Sequence, residues 1–516
     1  MDSVTASEKR LKRQVIGKPH RFLAIAPLGF EQTLADELTS ICLGNAGRHP
    51  EQQSSEGSSP ESISFHVIGD GKVEFTAKIT DAWKAVAYTR VANRILMHIA
   101  DFKAENFRDL EKKAAEIPWE LYLPCHPERS NASCEVEGSI SIHVTCKHSR
   151  LYHSDAIAER LYQVIDACPT PSSSWTRSVR DPYGSDPHLS KEAAPKQNLY
   201  VTLIDDRCTL WLDLAGEELY KRGHERFVND APLKETIAAA MLFEAISTLR
   251  IIHHQSSIIN YPLSITLIDP MAGSGTFSLE AAYMASGFIP GKCRDFALKH
   301  QPAFKPATWN HIVKQESVIL SETPNGVESK NLFANILTSD ISERAIGIIR
   351  HNVECSPLAQ SRPEKNSATG APSSPATNKS TSITPRLRDF FTYTAKEIAD
   401  ACHAPSASNA PDINDSEPVI VLNPPYGKRL DFDAPKLYTK IGKKLAELAL
   451  ELAPFGMHIT VAILAPKDDS RPGSKFTCTT NLLHECKALD PAKNASAKLI
   501  ETSHGGLGLN VFIARI

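Results

Sequence analysis

The sequence lacks any run of about 18 apolar residues, so no membrane-spanning helix is expected. Its opening, MDSVTASEKRLKRQ, is polar and basic with no apolar stretch behind it, which does not fit a secretory signal. It also lacks a Cys-x-x-Cys pair. Its eleven cysteines are scattered singly from Cys42 to Cys486. That spacing argues against a zinc ribbon and for free thiols in a reducing cytoplasm, so no metal is expected. Charge of either sign is not in excess: 57 Lys and Arg face 60 Asp and Glu, a formal net charge of -3. Such a balance does not mark a nucleic-acid binder and does not exclude one, because local basic patches govern binding. There is no internal repeat.

What is present fits a globular protein of several domains. The 516 residues are 41% hydrophobic and 23% charged, and one core rarely grows that large. Four polar, Ser- and Pro-rich stretches interrupt the chain, at 46–62, 169–198, 356–385 and 403–417. Each is too polar to pack a core and reads as an insertion or linker. The basic cluster Lys9, Arg10, Lys12 and Arg13 reads as a frayed, solvated terminus, with RNA contact as the other reading.

Hydrophobic periodicity divides the chain in two. In the first part, strands are expected at 21–27, 72–77 and 139–146, with two more over 198–215 joined at Asp205–Asp206. Helices are expected at 81–102 and 151–168, which gives a mixed α+β region. In the second part, near-continuous apolar strands at 265–270, 335–341, 418–425 and 458–466 alternate with helices. That pattern predicts an α/β parallel sheet covered on both faces, with ligands at the carboxyl ends of its strands.

Three motifs fall at those ends. Residues 269–276 read Asp-Pro-Met-Ala-Gly-Ser-Gly-Thr, where Gly273 and Gly275 allow a tight turn and close approach of a ligand. No Gly-Lys-Ser/Thr follows, so this is not a phosphate loop, and Ser278 replaces the last small residue of a dinucleotide fingerprint. The preceding acid, Asp269, suits a cationic ligand better than a pyrophosphate. S-adenosyl-L-methionine, with an amino group and a sulfonium, is such a ligand. Pro270, Ala272, Ser274 and Thr276 complete the candidate turn, Asp340 ends the next strand where it can accept ribose hydroxyls, and Asp389 with Phe390 offers an adenine site.

Asn423-Pro424-Pro425-Tyr426 is the sharpest signal. The lone pair of an aromatic amine is delocalised into its ring. Two acceptors that hold its hydrogens favour a pyramidal nitrogen aimed at a methyl donor. The Asn423 side-chain oxygen and the Pro424 carbonyl can serve, the paired prolines stiffen the loop, and Tyr426 offers a face for an extruded base. Lys428 and Arg429 follow and are candidate phosphate contacts, with a solvated loop as the other reading.

These residues together resemble the class I methyltransferases that carry an N-terminal THUMP domain. The nearest family is the bacterial 23S ribosomal RNA (guanine-N2)-methyltransferase, the L enzyme. The resemblance also rests on FLAIAPLGFEQTLADEL at 22–38, FKAENFRDLEKKAAEIPWELYL at 102–123, CKHSRLYHSDAIAERL at 146–161 and LYKRGHERFVNDAPLKETIAAAML at 219–242. It implies a tail at 1–20, a ferredoxin-like region at 21–100, a THUMP domain at 101–215 and a Rossmann-like methyltransferase domain at 216–516. It implies RNA contacts from Lys147, His148, Arg150 and Arg222; Lys234 lies in the same link, with a first-turn helix residue as its other reading. A departure from some relatives, the lack of a second methyltransferase domain, leads us to expect one catalytic activity. Residue 342 is Ser where relatives often carry a second acid. A THUMP-type tRNA guanine methyltransferase, another amino methyltransferase of the DNA adenine type, and a non-catalytic assembly factor are the alternatives.

Overall fold

In a computed structural model, the described residues are 6–43, 63–124, 140–167, 196–228, 232–255, 263–314, 332–360, 383–403, 416–426, 433–469, 471 and 476–516. Most of each of the four polar stretches lies outside them, and so do Lys428 and Arg429.

The first half builds one seven-stranded sheet from His20–Ile25 (β1), Phe65–Gly69 (β2), Lys72–Ala77 (β3), Arg94–Lys103 (β4), Ile140–Lys147 (β5), Gln197–Ile204 (β6) and Arg207–Asp213 (β7), in the order β2-β3-β1-β4-β7-β6-β5. All pairings are antiparallel except β5 with β6. β4 lies between β1 and β7, so this sheet runs without a break across residue 100. Asp205 and Asp206 join β6 to β7 with φ of 50° and 63°, the backbone of a two-residue hairpin turn.

Two expectations are corrected. The helix expected at 81–102 covers only Ile79–Tyr88, and Arg94–Lys103 is a strand. The Glu37 carboxylate accepts from the backbone N–H of Arg90 (2.6 Å) and Val91 (3.2 Å), which draws those groups out of the helical ladder. The apolar residues beyond then pair on both sides, Met97 opposite Phe22 and Leu212. The N-terminal segment is not wholly solvated: helix Ala6–Leu11 and the turn Lys12–Ile16 bury Leu11 and Val15 in the core, and Arg10 pairs with Glu120 at 2.7 Å.

The second half builds another seven-stranded sheet from Ile265–Asp269 (β8), Phe333–Asp340 (β9), Arg386–Leu387 (β10), Glu417–Leu422 (β11), Thr460–Pro466 (β12), Lys498–His504 (β13) and Leu507–Arg515 (β14). The order is β10-β9-β8-β11-β12-β14-β13, with β14 reversed against both neighbours. β8 and β12 are buried at every residue, which requires cover on both faces. Helices Glu235–Gln255 and Thr276–Ala285 pack against each other, and Ala434–Leu452 packs on Cys478–Glu485.

The largest apolar cluster runs from Phe22 of β1 through Ile237 and Leu249 to Ile513 of β14, so the two sheets share a core. Glu244 ties both halves: it accepts from Thr33 Oγ1 at 2.6 Å and from Lys498 Nζ at 3.1 Å. Gly29, at φ 82°, sits so close to the Glu501 carbonyl that a Cβ would lie 2.3 Å from it. Only glycine fits there.

Candidate active site

Parallel pairing brings four strand ends to one edge. Thr338 lies beside Asp269, Leu387 beside Asp340, and Ile420 beside Ile268. Asp269, Asp340, Asp389 and Asn423 therefore end or follow neighbouring strands at the same edge, although they are far apart in sequence.

The turn after β8 is built by hydrogen bonds. Gly275 N donates to the Ala272 carbonyl (2.7 Å) and Ala272 N to that of Ser339 (3.1 Å). Gly273 N donates to Asp340 Oδ2 (2.9 Å). Ser342 N donates to Asp340 Oδ1 (2.9 Å), and the Ser342 hydroxyl caps helix Glu343–Glu354. Ser342 thus has a structural task where relatives are expected to carry an acid. Gly273 has φ 58° and Gly275 φ 79°, values costly for residues with a Cβ. A Cβ on Gly275 would meet Ile349 at 3.2 Å, whereas one on Gly273 would meet nothing within 4 Å. Gly275 is therefore required by packing, and Gly273 faces open space. Thr276 and Ser274 are buried, and Pro270 follows directly from β8.

Asp269 is 1% exposed. Its Oδ2 accepts from Ser278 N (3.2 Å) and Ser278 Oγ (2.7 Å), while its buried Oδ1 finds no partner among the described residues. Burial pushes its carboxyl up to about 7 against the Ser278 hydrogen bonds, and the nearby Asp340 adds to the rise. A buried carboxylate with an unpartnered oxygen lacks a cation or donor. An ammonium group at the open side of Gly273 would supply one. The residues present thus fit an amino-acid-bearing ligand.

Asp389 uses Oδ1 to accept from Phe391 N at 3.1 Å. Phe390 is 2% exposed and packs in the second apolar cluster with Ile268 and Tyr438, so it supports the strand end and offers no free face. The half-buried ring of the pair is Phe391, 5.4 Å away. The Asn423 Oδ1 is buried and also finds no partner among the described residues. Pro424 is buried, Pro425 exposed and Tyr426 partly buried, its hydroxyl pushed up to about 12 by burial.

Arg222 is not a surface cation, which corrects its assignment to RNA. It is 4% exposed, donates to Glu280 (3.0 and 3.3 Å) and to the Arg90 carbonyl (2.9 Å), and shares Glu280 with Arg90. Lys234 pairs with Glu218 at 3.2 Å and lies over the Tyr220 ring. Lys147 and His148 are exposed at the end of β5, His148 at φ 49°, and Arg150 is exposed but paired with Glu105 and Asp206.

Several residues of this region are not apparent from sequence reasoning. Arg226 donates to Ser274, Thr276 and Glu235. Asn352, 1% exposed, donates to the Ser274 carbonyl (3.0 Å) and exchanges hydrogen bonds with the Phe227 backbone (2.8 and 2.9 Å). One signal was available: Glu280 is the lone charge in the apolar helix TFSLEAAYMA, and such an acid needs a buried cationic partner. Among the described residues, one group brings metal-type donors together, Glu225, His351 and Cys355, within 4.8 Å of one another.

Residues 257–361 match the RMKL-like methyltransferase domain family. The strand order and single reversed strand are those of class I methyltransferases, and the fold is of that class. Over 435 residues the chain is 26% identical to a ribosomal RNA large subunit methyltransferase K/L of Allochromatium vinosum, covering 83% of this chain and 46% of that protein. A putative RNA methyltransferase, YpsC of Bacillus subtilis, is 24% identical over 65% of this chain and 71% of its own length. The chain spans about half the length of the K/L relatives it matches. Among solved structures, SMU.472, a putative methyltransferase complexed with SAH, superposes with a TM-score of 0.59 at 20% identity, covering 96% of this chain and 98% of that one. A possible methylase from Clostridium difficile 630 gives 0.57 at 20%, over 96% and 98%. No helix among the described residues is long and apolar enough to cross a membrane.

Proposed function

We propose that this chain transfers a methyl group from S-adenosyl-L-methionine to an exocyclic amino nitrogen of an RNA base, specifically the 2-amino group of a guanine in 23S ribosomal RNA. The observation that carries the reading is the pair of orphaned buried oxygens, Asp269 Oδ1 and Asn423 Oδ1, at adjacent strand ends of a class I methyltransferase sheet. One asks for an ammonium and the other for an amine hydrogen.

When bound, the donor supplies an electrophilic methyl group. The protein's own residues do the rest. Asp269 holds the donor's amino group, the open face of Gly273 admits its backbone, and Asp340 and Asp389 accept from its hydroxyls and adenine amine. Asp340 already accepts two backbone N–H groups, which fixes its position and leaves lone pairs for two hydroxyls. Asn423 Oδ1 and the Pro424 carbonyl accept the hydrogens of the target amine and orient its nitrogen. Tyr426 receives the face of the extruded base. The first sheet corresponds in this reading to the ferredoxin-like and THUMP regions, which grip the RNA with Lys147, His148 and Arg150, and Lys428 and Arg429, which follow Tyr426 in the sequence, add phosphate contacts. The substrate class is supported by the K/L relatives, which cover most of this chain.

The test is methyl transfer from labelled donor to size-fractionated RNA of cells lacking this gene, with nucleoside identification. Label in large ribosomal RNA as 2-methylamino-guanosine supports the full proposal. Label confined to tRNA overturns the substrate, and label on another nucleoside overturns the guanine assignment.

A further inference from the structure

The segment 219–228 crosses from the first half to the second, and its arginines do different work. Arg222 joins Arg90 on Glu280, one helical turn beyond Thr276, and Arg90 contributes its N–H to Glu37 of the first half. Arg226 reaches the glycine turn itself. Its guanidinium donates to Ser274 Oγ (3.2 Å) and to Thr276 Oγ1, the residues on either side of Gly275, and is anchored by Glu235 at the start of helix Glu235–Gln255. Its Nε–H is buried and finds no partner among the described residues. Asn352 fixes the next residue, Phe227, and also holds the Ser274 carbonyl.

We propose that Arg226 is a positioning residue for the methyl-donor turn: by bridging Ser274, Thr276 and Glu235 it holds Gly273 and Gly275 in their left-handed conformation with the face of Gly273 open. The inference rests on the methyl-donor reading given above. Its physical basis is the cost of the turn. Two left-handed positions flank Ser274, and a glycine-containing segment has many other conformations to lose when the turn forms. A planar guanidinium with three acceptors fixes both flanking side chains at once. Lysine, a single point charge, cannot span them. The hydrogen bonds of Arg226 go to the donor turn and to Glu235, so its effect is expected on donor binding and not on the transfer step.

The test uses the full chain and S-adenosylhomocysteine binding by isothermal titration, with methyl-transfer kinetics and thermal melting alongside. Arg226→Ala is expected to weaken binding about tenfold or more and raise the donor KM by a similar factor, with kcat at saturating donor within about twofold. Arg226→Lys is expected to recover little of the loss. A second variant, Ser274→Ala/Thr276→Val, removes the two hydroxyl acceptors on the turn with little change in side-chain volume and leaves Glu235 in place. In that background, Arg226→Ala is expected to add almost no further loss. Unchanged affinity in Arg226→Ala, full rescue by lysine, or strictly additive losses in the combined variant each overturn the inference. If wild-type protein itself binds no S-adenosylhomocysteine, the donor reading fails first, and the inference fails with it.

Discussion

Asp269 makes a prediction in which function and stability oppose each other. Its carboxyl moves from an ordinary value of 3.8 to about 7 because burial penalises the charged form. Between those values the folded protein keeps a proton that the unfolded chain has lost. Stability therefore falls as pH rises through that window, and the deficit is complete above about 7. Three pH units correspond to roughly 4 kcal/mol. Asp269→Asn abolishes the charge without changing shape. Its oxygen can still accept from the two Ser278 donors, but its amide nitrogen then takes the orphaned Oδ1 position at a cost of about 1–3 kcal/mol. The net expectation at pH 8 is a variant more stable than wild type by roughly 1–3 kcal/mol, and at pH 5, where most of the wild-type deficit is gone, that advantage shrinks by roughly 2–3 kcal/mol. Urea denaturation at the two pH values measures the difference. In calorimetry, wild type should bind S-adenosylhomocysteine less tightly below pH 7, by up to about tenfold per unit, because the carboxylate must ionise to hold an ammonium. The variant should lose both the affinity and its pH dependence. A variant less stable than wild type at pH 8 yet unchanged at pH 5 would refute the reasoning.

Other residues give separate tests. Asn423→Ala should lower methyl transfer by about a hundredfold or more while leaving donor affinity nearly unchanged, and near wild-type turnover would remove it from the site. Gly275→Ala combines a left-handed backbone with a 3.2 Å approach to Ile349, so it should lower stability by about 1–3 kcal/mol in denaturation curves. Arg222→Met leaves Glu280 with one cationic partner in place of two. It should destabilise the fold by about 3–5 kcal/mol in denaturation, whereas a residue serving only RNA phosphates would leave stability intact. Lys147→Ala together with Arg150→Ala should weaken RNA binding and flatten its salt dependence without moving donor affinity, and an unchanged salt slope would take both off the RNA surface.

The second half was readable because its signals are local. Runs such as ITLID and VIVL are nearly continuous in apolar residues, as strands covered on both faces tend to be, and a left-handed turn favours glycine. Each motif therefore carries its chemistry in a few adjacent residues, and strand alternation was enough to place Asp269, Asp340 and Asn423 at one sheet edge. The hairpin at Asp205–Asp206 was legible for the same reason. Where a segment's fate depends on a distant partner, local pattern was not enough. The apolar residues at 94–103 suit a helix or a strand, and Glu37, with β1 and β7 on either side, decided for the strand. Arg222 looks the same in sequence whether it meets phosphate or Glu280, and Phe390 whether it lines a ligand or fills a core. The burial that settles both, and that gives Asp269 its unusual carboxyl, exists only once the chain has folded, across the two halves for Arg222 and within the second half for Phe390 and Asp269, because desolvation is a property of the packed neighbourhood and not of the residue.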